Sequence, residues 1–216
     1  MTGPSPPQRM QWRFIAAILL LAAVWFAMLL GGANAIDLDL YEALYAGRRP
    51  LLVPLARAVT FLGEPTLLIG ASILVAAWLW RAGRGRMGLV LLTVTLTGRA
   101  LSEMQKYWIG RVRPGLEPHL VAVKTSSFPS GHATSSMIFY LCLAMALTTN
   151  RSWNPIAVAG AVLLSLLIGT SRVMLGVHWP SDVVGGWAFG ALWFLLTVRP
   201  AERLLRSDSE MDRTAL

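Results

Sequence analysis

The sequence predicts an all-α protein, a polytopic membrane bundle of six transmembrane helices with short interfacial helices in the first outer loop. Two observations predict this fold. The 216-residue chain is 55% hydrophobic and only 14% charged, with a mean hydropathy of +0.57. Its apolar residues form runs close to the ~20 residues that cross a bilayer, not the narrow stripes of soluble helices. Lipid is therefore the expected solvent for most of the chain.

The first span is predicted at residues 14–33, a segment without a single charge. A cleaved signal peptide is the alternative, with Ala33-Asn34-Ala35 as a passable cleavage site, but the long apolar run favours a retained helix. Further spans are predicted at 65–80, 87–108, 133–149, 155–173 and 181–198. Segments 37–46 and 51–62 are too short or too charged to cross, so we expect them at the membrane interface.

The chain is predicted to form one integral-membrane domain over residues 1–216, because no linker or internal repeat divides it. The motifs described below span residues 106–182, and residues 200–216 form a polar tail. The net charge of +8 is spread over both ends of the spans, which argues against a nucleic-acid partner. The lone Cys142 excludes an intramolecular disulfide and is expected to pack in a span.

Six spans place both termini on one side of the membrane. Basic residues are slightly more numerous on that side, and the margin widens once the cations of the motifs are set aside, which favours cytoplasmic termini. We therefore expect a multi-pass protein of a bacterial-type plasma (inner) membrane, with the motifs facing outward.

The first motif lies at the outer end of the third span. Lys106 is followed seven residues later by Arg113, and Pro114 stops any helix there. If the helix ends between the two cations, both can converge on one anion. Arg99 and Glu103 share the helix face of Lys106 and could form an ion-pair ladder that orients it. The alternative is a basic cluster that extends toward lipid head groups.

The second motif, Pro129-Ser130-Gly131-His132, directly precedes the fourth span. Ser130 is expected to cap that helix, and Gly131 permits close approach of the backbone to a ligand. The free N–H groups at a helix start favour phosphate. His132 would stand at the same place and could pass a proton near neutral pH. A plain capping turn with an interfacial histidine is the alternative.

The third motif begins with Ser171-Arg172 at the end of the fifth span and continues with His178 and Asp182. The spacing of four brings the last two side chains within reach of each other. A carboxylate bonded to one imidazole nitrogen fixes the tautomer and frees the other nitrogen for attack on phosphorus. The alternative is an interfacial histidine with a carboxylate that complements a helix start.

From Lys106 to Asp182 the sequence closely resembles the type 2 phosphatidic acid phosphatase superfamily, which includes vanadium haloperoxidases, bacterial acid phosphatases and glucose-6-phosphatase. All three parts of the family pattern are present without a departure in residue type or spacing. The six apolar spans resemble the membrane branch of this superfamily.

The resemblance implies a phosphatase that needs no metal and no other cofactor. His178 would attack phosphorus and form a phosphohistidine that water hydrolyses, Asp182 would orient His178, and His132 would be the general acid. The residues that would bind phosphate are Lys106, Arg113, Ser130, Gly131 and Arg172. Arg99 and Glu103 are expected to lie behind them.

A lipid phosphate is the expected substrate, because a site at the outer interface suits a phosphate whose lipid tail stays in the bilayer. Phosphatidylglycerophosphate, phosphatidic acid, undecaprenyl pyrophosphate and lipid A phosphate all remain open. Glu117, His119 and Lys124 in the short loop 115–128 are candidates for head-group contact, although solvated loop polarity is the simpler interpretation. The sequence assigns no oligomeric state.

Three other functions fit parts of the sequence. A lipid phosphotransferase would use the same phosphohistidine with an acceptor other than water. A vanadate-dependent haloperoxidase is disfavoured, since the oxidases of the family are soluble. A transporter with intramembrane charges would not depend on His178.

Overall fold

Most of the described helices of the protein begin at a proline or a glycine. A computed structural model describes the backbone of residues 6–148 and 154–214, and the side chains of residues 10–148 and 154–198. In these ranges the chain forms helices and no strand: α1 (Pro6–Gly31), α2 (Ala35–Leu44), a 3₁₀ turn (Ala46–Arg48), α3 (Leu52–Phe61), α4 (Pro65–Arg81), α5 (Gly85–Ile109), α6 (Gly131–Leu147), α7 (Pro155–Met174) and α8 (Pro180–Thr214). The predicted all-α class is confirmed.

Three of the described helical segments are long and apolar enough to cross a bilayer: Met10–Gly31, Pro155–Met174 and Pro180–Val198. Helices α3 and α4 meet at a bend of 41° and would add a fourth span if they form one broken helix. Helix α5 has 25 residues but carries four charges, and the apolar α6 has only 17 residues. A multi-pass membrane protein is confirmed, whereas six spans and interfacial helices remain predictions. Residue 149, the predicted end of the fourth span, lies outside the described residues.

Helix α6 is the centre of the bundle and packs against α4, α5, α7 and α8. Two glycines let α8 approach α6 closely. A Cβ atom on Gly186 would lie 2.8 Å from the carbonyl oxygen of Ser130, and one on Gly190 would lie 2.9 Å from Cβ of Met137. Any side chain at these positions would push the two helices apart. Gly186 and Gly190 therefore form a close helix contact within the bundle.

The two ends of the bundle differ in chemistry. One end contains an apolar core that includes Leu91, Ile138, Cys142 and Phe194. At the other end, the last turn of α5, the first turns of α6 and α8, the end of α7 and the α3–α4 bend come together. All three sequence motifs lie at this polar end.

Candidate active site

The end of α5 brings Lys106 and Arg113 to the same stretch of backbone. Gly110 follows the helix in the left-handed conformation (φ 63°), which glycine adopts without steric cost. Nζ of Lys106 donates to the carbonyl oxygen of Ser126 (2.9 Å), and Nη2 of Arg113 donates to the same oxygen (3.3 Å). Nε of Arg113 donates to the carbonyl oxygen of Thr125 (2.8 Å). The predicted helix end between the two cations is confirmed.

Ser130 stands at the N-cap position of α6, but its hydroxyl makes no capping hydrogen bond. The expectation that its side chain caps the helix is therefore wrong. Its backbone N–H donates instead to the carbonyl oxygen of Asp182 (2.9 Å), which joins the starts of α6 and α8. The buried hydroxyl oxygen has no hydrogen-bond partner among the described residues.

Gly131 allows α5 and α6 to bring charged groups together. A Cβ atom at this position would lie 3.4 Å from Nη1 of Arg99, 3.5 Å from Cε of Lys106 and 3.7 Å from Oε1 of Glu103. Arg99 and Glu103 form the expected ion pair (3.2 Å). Lys106 is oriented by the Ser126 carbonyl oxygen, so the predicted ladder does not extend to its ammonium group.

His178 and Asp182 form a buried pair at the start of α8. Nδ1 of His178 lies 3.5 Å from Oδ2 of Asp182 and 3.4 Å from the hydroxyl oxygen of Ser127. The Ser127 hydroxyl also donates to Oδ2 of Asp182, as does the backbone N–H of Trp179 (2.9 Å). Trp179 precedes the first residue of α8, so the carboxylate satisfies a helix-end donor as in a capping box. The predicted proximity of His178 and Asp182 is confirmed.

The second imidazole nitrogen of His178 carries no proton and accepts a hydrogen bond from Arg113. Nη1 of Arg113 lies 3.2 Å from Nε2, and a guanidinium can only donate, so Nε2 accepts and Nδ1 carries the proton. Burial lowers the pKa of His178 well below its ordinary value of 6.5, and the neighbouring cations, of which Arg113 has the largest effect, lower it further. A neutral imidazole whose Nε2 carries no proton is a competent nucleophile.

Arg111 and Ser127 were not selected by the sequence analysis, although both contact the Asp182 carboxylate. Nη1 of Arg111 forms an ion pair with Oδ1 of Asp182 (3.0 Å). Nη2 donates to the last carbonyl oxygens of α1, those of Met28 (2.8 Å) and Leu29 (2.7 Å). Arg111 therefore connects the end of α1 to the start of α8. Its position two residues before Arg113 is the one local signal that could have indicated this role.

Arg172 approaches from the last turn of α7 and is buried. Its Nη1 donates to the hydroxyl oxygen of Thr60 at the end of α3 (3.0 Å). Its Nε has no hydrogen-bond partner among the described residues. The guanidinium therefore retains an unused donor.

His132 faces a carboxylate that the sequence analysis did not identify. Its Nε2 lies 3.2 Å from Oε2 of Glu64, within ion-pair distance but without the alignment of a hydrogen bond. Glu64 lies in the bend between α3 and α4. No local signal connects it to His132, because 68 residues separate them in the chain.

A cavity of about 460 Å³ joins these groups. Its charged and imidazole lining consists of Arg57, Glu64, Arg99, Glu103, Lys106, Arg113, Lys124, His132, Arg172 and His178, and Gly131 adds backbone. Arg99 and Glu103, expected behind the site, lie in the wall itself. Ser130 and Asp182, by contrast, are buried outside the lining.

Of the three loop residues that are candidates for head-group contact, one lines the cavity. Lys124 lines the cavity. Glu117 forms an ion pair with the exposed Arg48, and Nε2 of His119 lies 2.7 Å from the carbonyl oxygen of Pro114. For these two residues the simpler interpretation as loop polarity fits the structure.

The arrangement combines a nucleophilic nitrogen, converging cations and a second histidine around one cavity. Three cations near Nε2 of His178 can neutralise the oxygens of a phosphoryl group. An imidazole on another wall can protonate a leaving oxygen. This chemistry suits transfer of a phosphoryl group to His178.

Comparisons with known proteins agree with this chemistry. Residues 87–205 match the model of the PAP2 superfamily. Phosphatidylglycerophosphatase B of Bacillus subtilis is 33% identical over 163 residues, covering 74% of this chain and 80% of the relative. Lipid A 1-phosphatase of Rhizobium etli is 30% identical over 200 residues, covering 80% and 83%. The crystal structure of a transmembrane PAP2-type phosphatidylglycerolphosphate phosphatase from B. subtilis superimposes with a TM-score of 0.77 at 30% identity, covering 90% of this chain and 98% of that one.

Proposed function

The chain belongs to the PAP2 superfamily, and from this membership we propose that it hydrolyses the phosphate or pyrophosphate monoester of a membrane lipid through a phosphohistidine at His178. Relatives named for phosphatidylglycerophosphate and lipid A support a lipid substrate. The observation that carries the proposal is the free Nε2 of His178 beside Arg113, in a cavity that Lys106 and Arg172 also line.

In the first step, Nε2 of His178 attacks phosphorus as the bond to the lipid oxygen breaks. The proton on Nδ1 stays directed toward Asp182, which stabilises the positive charge that develops on the ring. The leaving lipid oxygen takes a proton from His132, so the lipid departs as a neutral alcohol. With pyrophosphate, the leaving group is the lipid monophosphate.

Cationic and neutral donors hold the transferred phosphoryl group. Lys106, Arg113 and Arg172 supply positive charge to its three oxygens. The N–H groups at the start of α6, beginning at Gly131, add the helix-end field. The unpartnered Nε of Arg172, which lines the cavity, supports this role, because a buried donor without a partner costs about 1–3 kcal/mol. The unpartnered Oγ of Ser130 lies behind the lining, next to Gly131. These groups supply the charge that makes a metal ion unnecessary in our proposal.

In the second step, water attacks the phosphohistidine on phosphorus. His132, neutral after the first step, takes a proton from this water. The P–N bond breaks, inorganic phosphate leaves, and both histidines return to their starting states. The cycle balances with water as the one co-reactant.

We further propose six spans, with cytoplasmic termini and the cavity at the outer face of the plasma membrane. The grouping of all three motifs at one end of the bundle supports a single catalytic face. A cavity at this level lets a phosphate enter while its lipid tail remains in the bilayer.

The proposal is tested by phosphate release from detergent-purified protein. The substrates are phosphatidylglycerophosphate, phosphatidic acid, undecaprenyl pyrophosphate and lipid A, each with a chelator present. We expect chelator-resistant release from at least one lipid, none from His178→Ala, and an alkali-stable, acid-labile phosphoryl label on the wild-type protein. Release that persists in the folded His178→Ala variant would refute the proposed nucleophile. Transfer of phosphate to an added alcohol in place of water would indicate the phosphotransferase.

A further inference from the structure

The bend between α3 and α4 is held against His132 by contacts from two helices. The hydroxyl of Tyr140 in α6 donates to the carbonyl oxygen of Leu62 in the bend (2.8 Å). Next to it, Gly63 packs so tightly that an added Cβ would overlap Ile168 of α7 and lie 3.5 Å from Cδ2 of His132. These contacts fix the position of the following residue, Glu64.

Glu64 is the carboxylate that this bend presents to His132. Its Oε2 lies 3.2 Å from Nε2 of the imidazole. The His132 side chain is 12% exposed, whereas that of Glu64 is 44% exposed and lines the cavity. An ion pair this exposed adds little to stability, usually about 0–1 kcal/mol. Stabilisation of the fold alone therefore does not explain a carboxylate at this position.

Burial opposes the protonation of His132 most strongly, and two neighbouring arginines oppose it as well. Arg99 of α5 and Arg172 of α7 both repel a positive charge on the ring. Further charged or titratable groups line the same cavity: Arg57 of α3, Glu103 and Lys106 of α5, Arg113 and Lys124 of the following loop, and His178 before α8. Among the described residues, Glu64 supplies the carboxylate that lies within ion-pair distance of the ring. Its negative charge can offset the effect of the two arginines on the protonation of the ring.

We propose that Glu64 is a positioning residue for the general acid: its carboxylate lies against Nε2 of His132 and favours the protonated ring from which the leaving oxygen takes its proton. This inference rests on the proposed function. An imidazolium carries a proton on each nitrogen. With Nε2 on the side of Glu64, the proton on Nδ1 passes to the lipid oxygen as the P–O bond breaks. Glu64 lies outside residues 87–205, which match the family model.

The test compares the pH dependence of kcat for wild type, Glu64→Gln and Glu64→Asp on the fastest lipid. We expect Glu64→Gln to lose about tenfold at neutral pH, part of the ~10²–10⁴-fold that general acid catalysis supplies. Its alkaline limb should also move to lower pH, because a ring without the carboxylate loses its proton earlier. Glu64→Asp should keep a large part of the activity and the wild-type limb. Glu42→Gln, an exposed carboxylate of α2, is the matched control and should behave as wild type.

A second measurement does not depend on turnover. NMR of histidine-labelled protein follows the His132 ring, identified by its loss in His132→Gln, and its titration midpoint should fall in Glu64→Gln. An unchanged midpoint and alkaline limb would overturn the role of Glu64, as would equal damage in Glu64→Asp and Glu64→Gln. An inactive wild type would refute the proposed function instead, whereas the NMR comparison would still test the contact between Glu64 and His132.

Discussion

Two histidines line the same cavity, each is paired with a carboxylate, and the two pairs are built in opposite ways. His178 and Asp182 are four residues apart on one helix start and are 2% and 0% exposed. His132 and Glu64 come from distant parts of the chain, and the carboxylate is 44% exposed. Asp182 also has Ser127, Trp179 and Arg111 as partners.

The difference corresponds to the roles that we propose. A nucleophile must keep one tautomer and one orientation, which a buried and fully bonded carboxylate enforces. A general acid must gain and lose a proton in each cycle, which a carboxylate in contact with solvent allows. The first pair should therefore tolerate substitution poorly, and the second should respond mainly through pH.

Among the substitutions that test this contrast, Asp182→Asn should lower kcat the most. The amide cannot stabilise the charge that develops on His178, and it leaves Arg111 buried without its counter-ion. We expect kcat to fall roughly 10³–10⁴-fold with a weak residual rate, as when the orienting carboxylate of a catalytic triad is replaced. Phosphate release by the purified variant measures this.

The control for this prediction is Asp39→Asn, an exposed carboxylate on α2, which should retain full activity. A loss in Asp182→Asn no greater than that in Glu64→Gln would contradict the contrast between the two pairs.

Arg111→Met should give the next largest effect, because it removes the ion pair of Asp182 while Ser127 and Trp179 still hold the carboxylate. We expect kcat to fall roughly 10–100-fold, by analogy with the loss of a hydrogen-bond partner behind a metal ligand. Since the last carbonyl oxygens of α1 also lose their donor, the variant should be about 3–5 kcal/mol less stable, as is typical when a buried ion pair is broken. Thermal unfolding in detergent, followed by tryptophan fluorescence, measures the stability.

Arg48→Met is the matched control, because the Arg48–Glu117 pair is exposed and lies away from the cavity. It should change neither activity nor unfolding temperature appreciably. Equal behaviour of the two variants would show that Arg111 has no special connection to Asp182.

The contrast between the pairs also explains how far the sequence could predict the site. His178 and Asp182 share one helix start, so their spacing of four was sufficient. Lys106 and Arg113 flank a helix end that Gly110 and Pro114 mark. In each case the short separation in sequence keeps the two side chains close together.

Contacts between distant segments had no such signal. Glu64 and Arg111 reach their partners only after α4, α5 and α8 have packed around α6. Ser130 occupies the predicted cap position, yet its hydroxyl makes no cap bond, because the choice between local and tertiary partners depends on packing. The helical class was predictable from composition, since lipid requires backbone hydrogen bonds to be satisfied within each segment.

The smallest effect is expected when the pH is lowered from 7 to 6. A histidine with the ordinary pKa of 6.5 would go from about three-quarters neutral to about one-quarter neutral over this range. Burial and neighbouring cations lower the pKa of His178 well below 6.5, so its ring should stay neutral and its NMR signal should not move. The signal can be assigned by its loss in His178→Ala, because the chain has only three histidines.

The lowered pKa of His178 also determines the direction in which pH changes the stability of the folded state. The unfolded chain takes up a proton at this residue near pH 6.5 and the folded chain does not, so His178 makes the folded state less stable as the pH falls below 6.5. The nucleophile nevertheless remains available there, and any loss of phosphohistidine formation at pH 6 must come from other groups or from the substrate. A His178 signal that titrates with a midpoint near 6.5 would contradict this. It would mean that the ring is solvated, and that the two pairs differ less than their burial indicates.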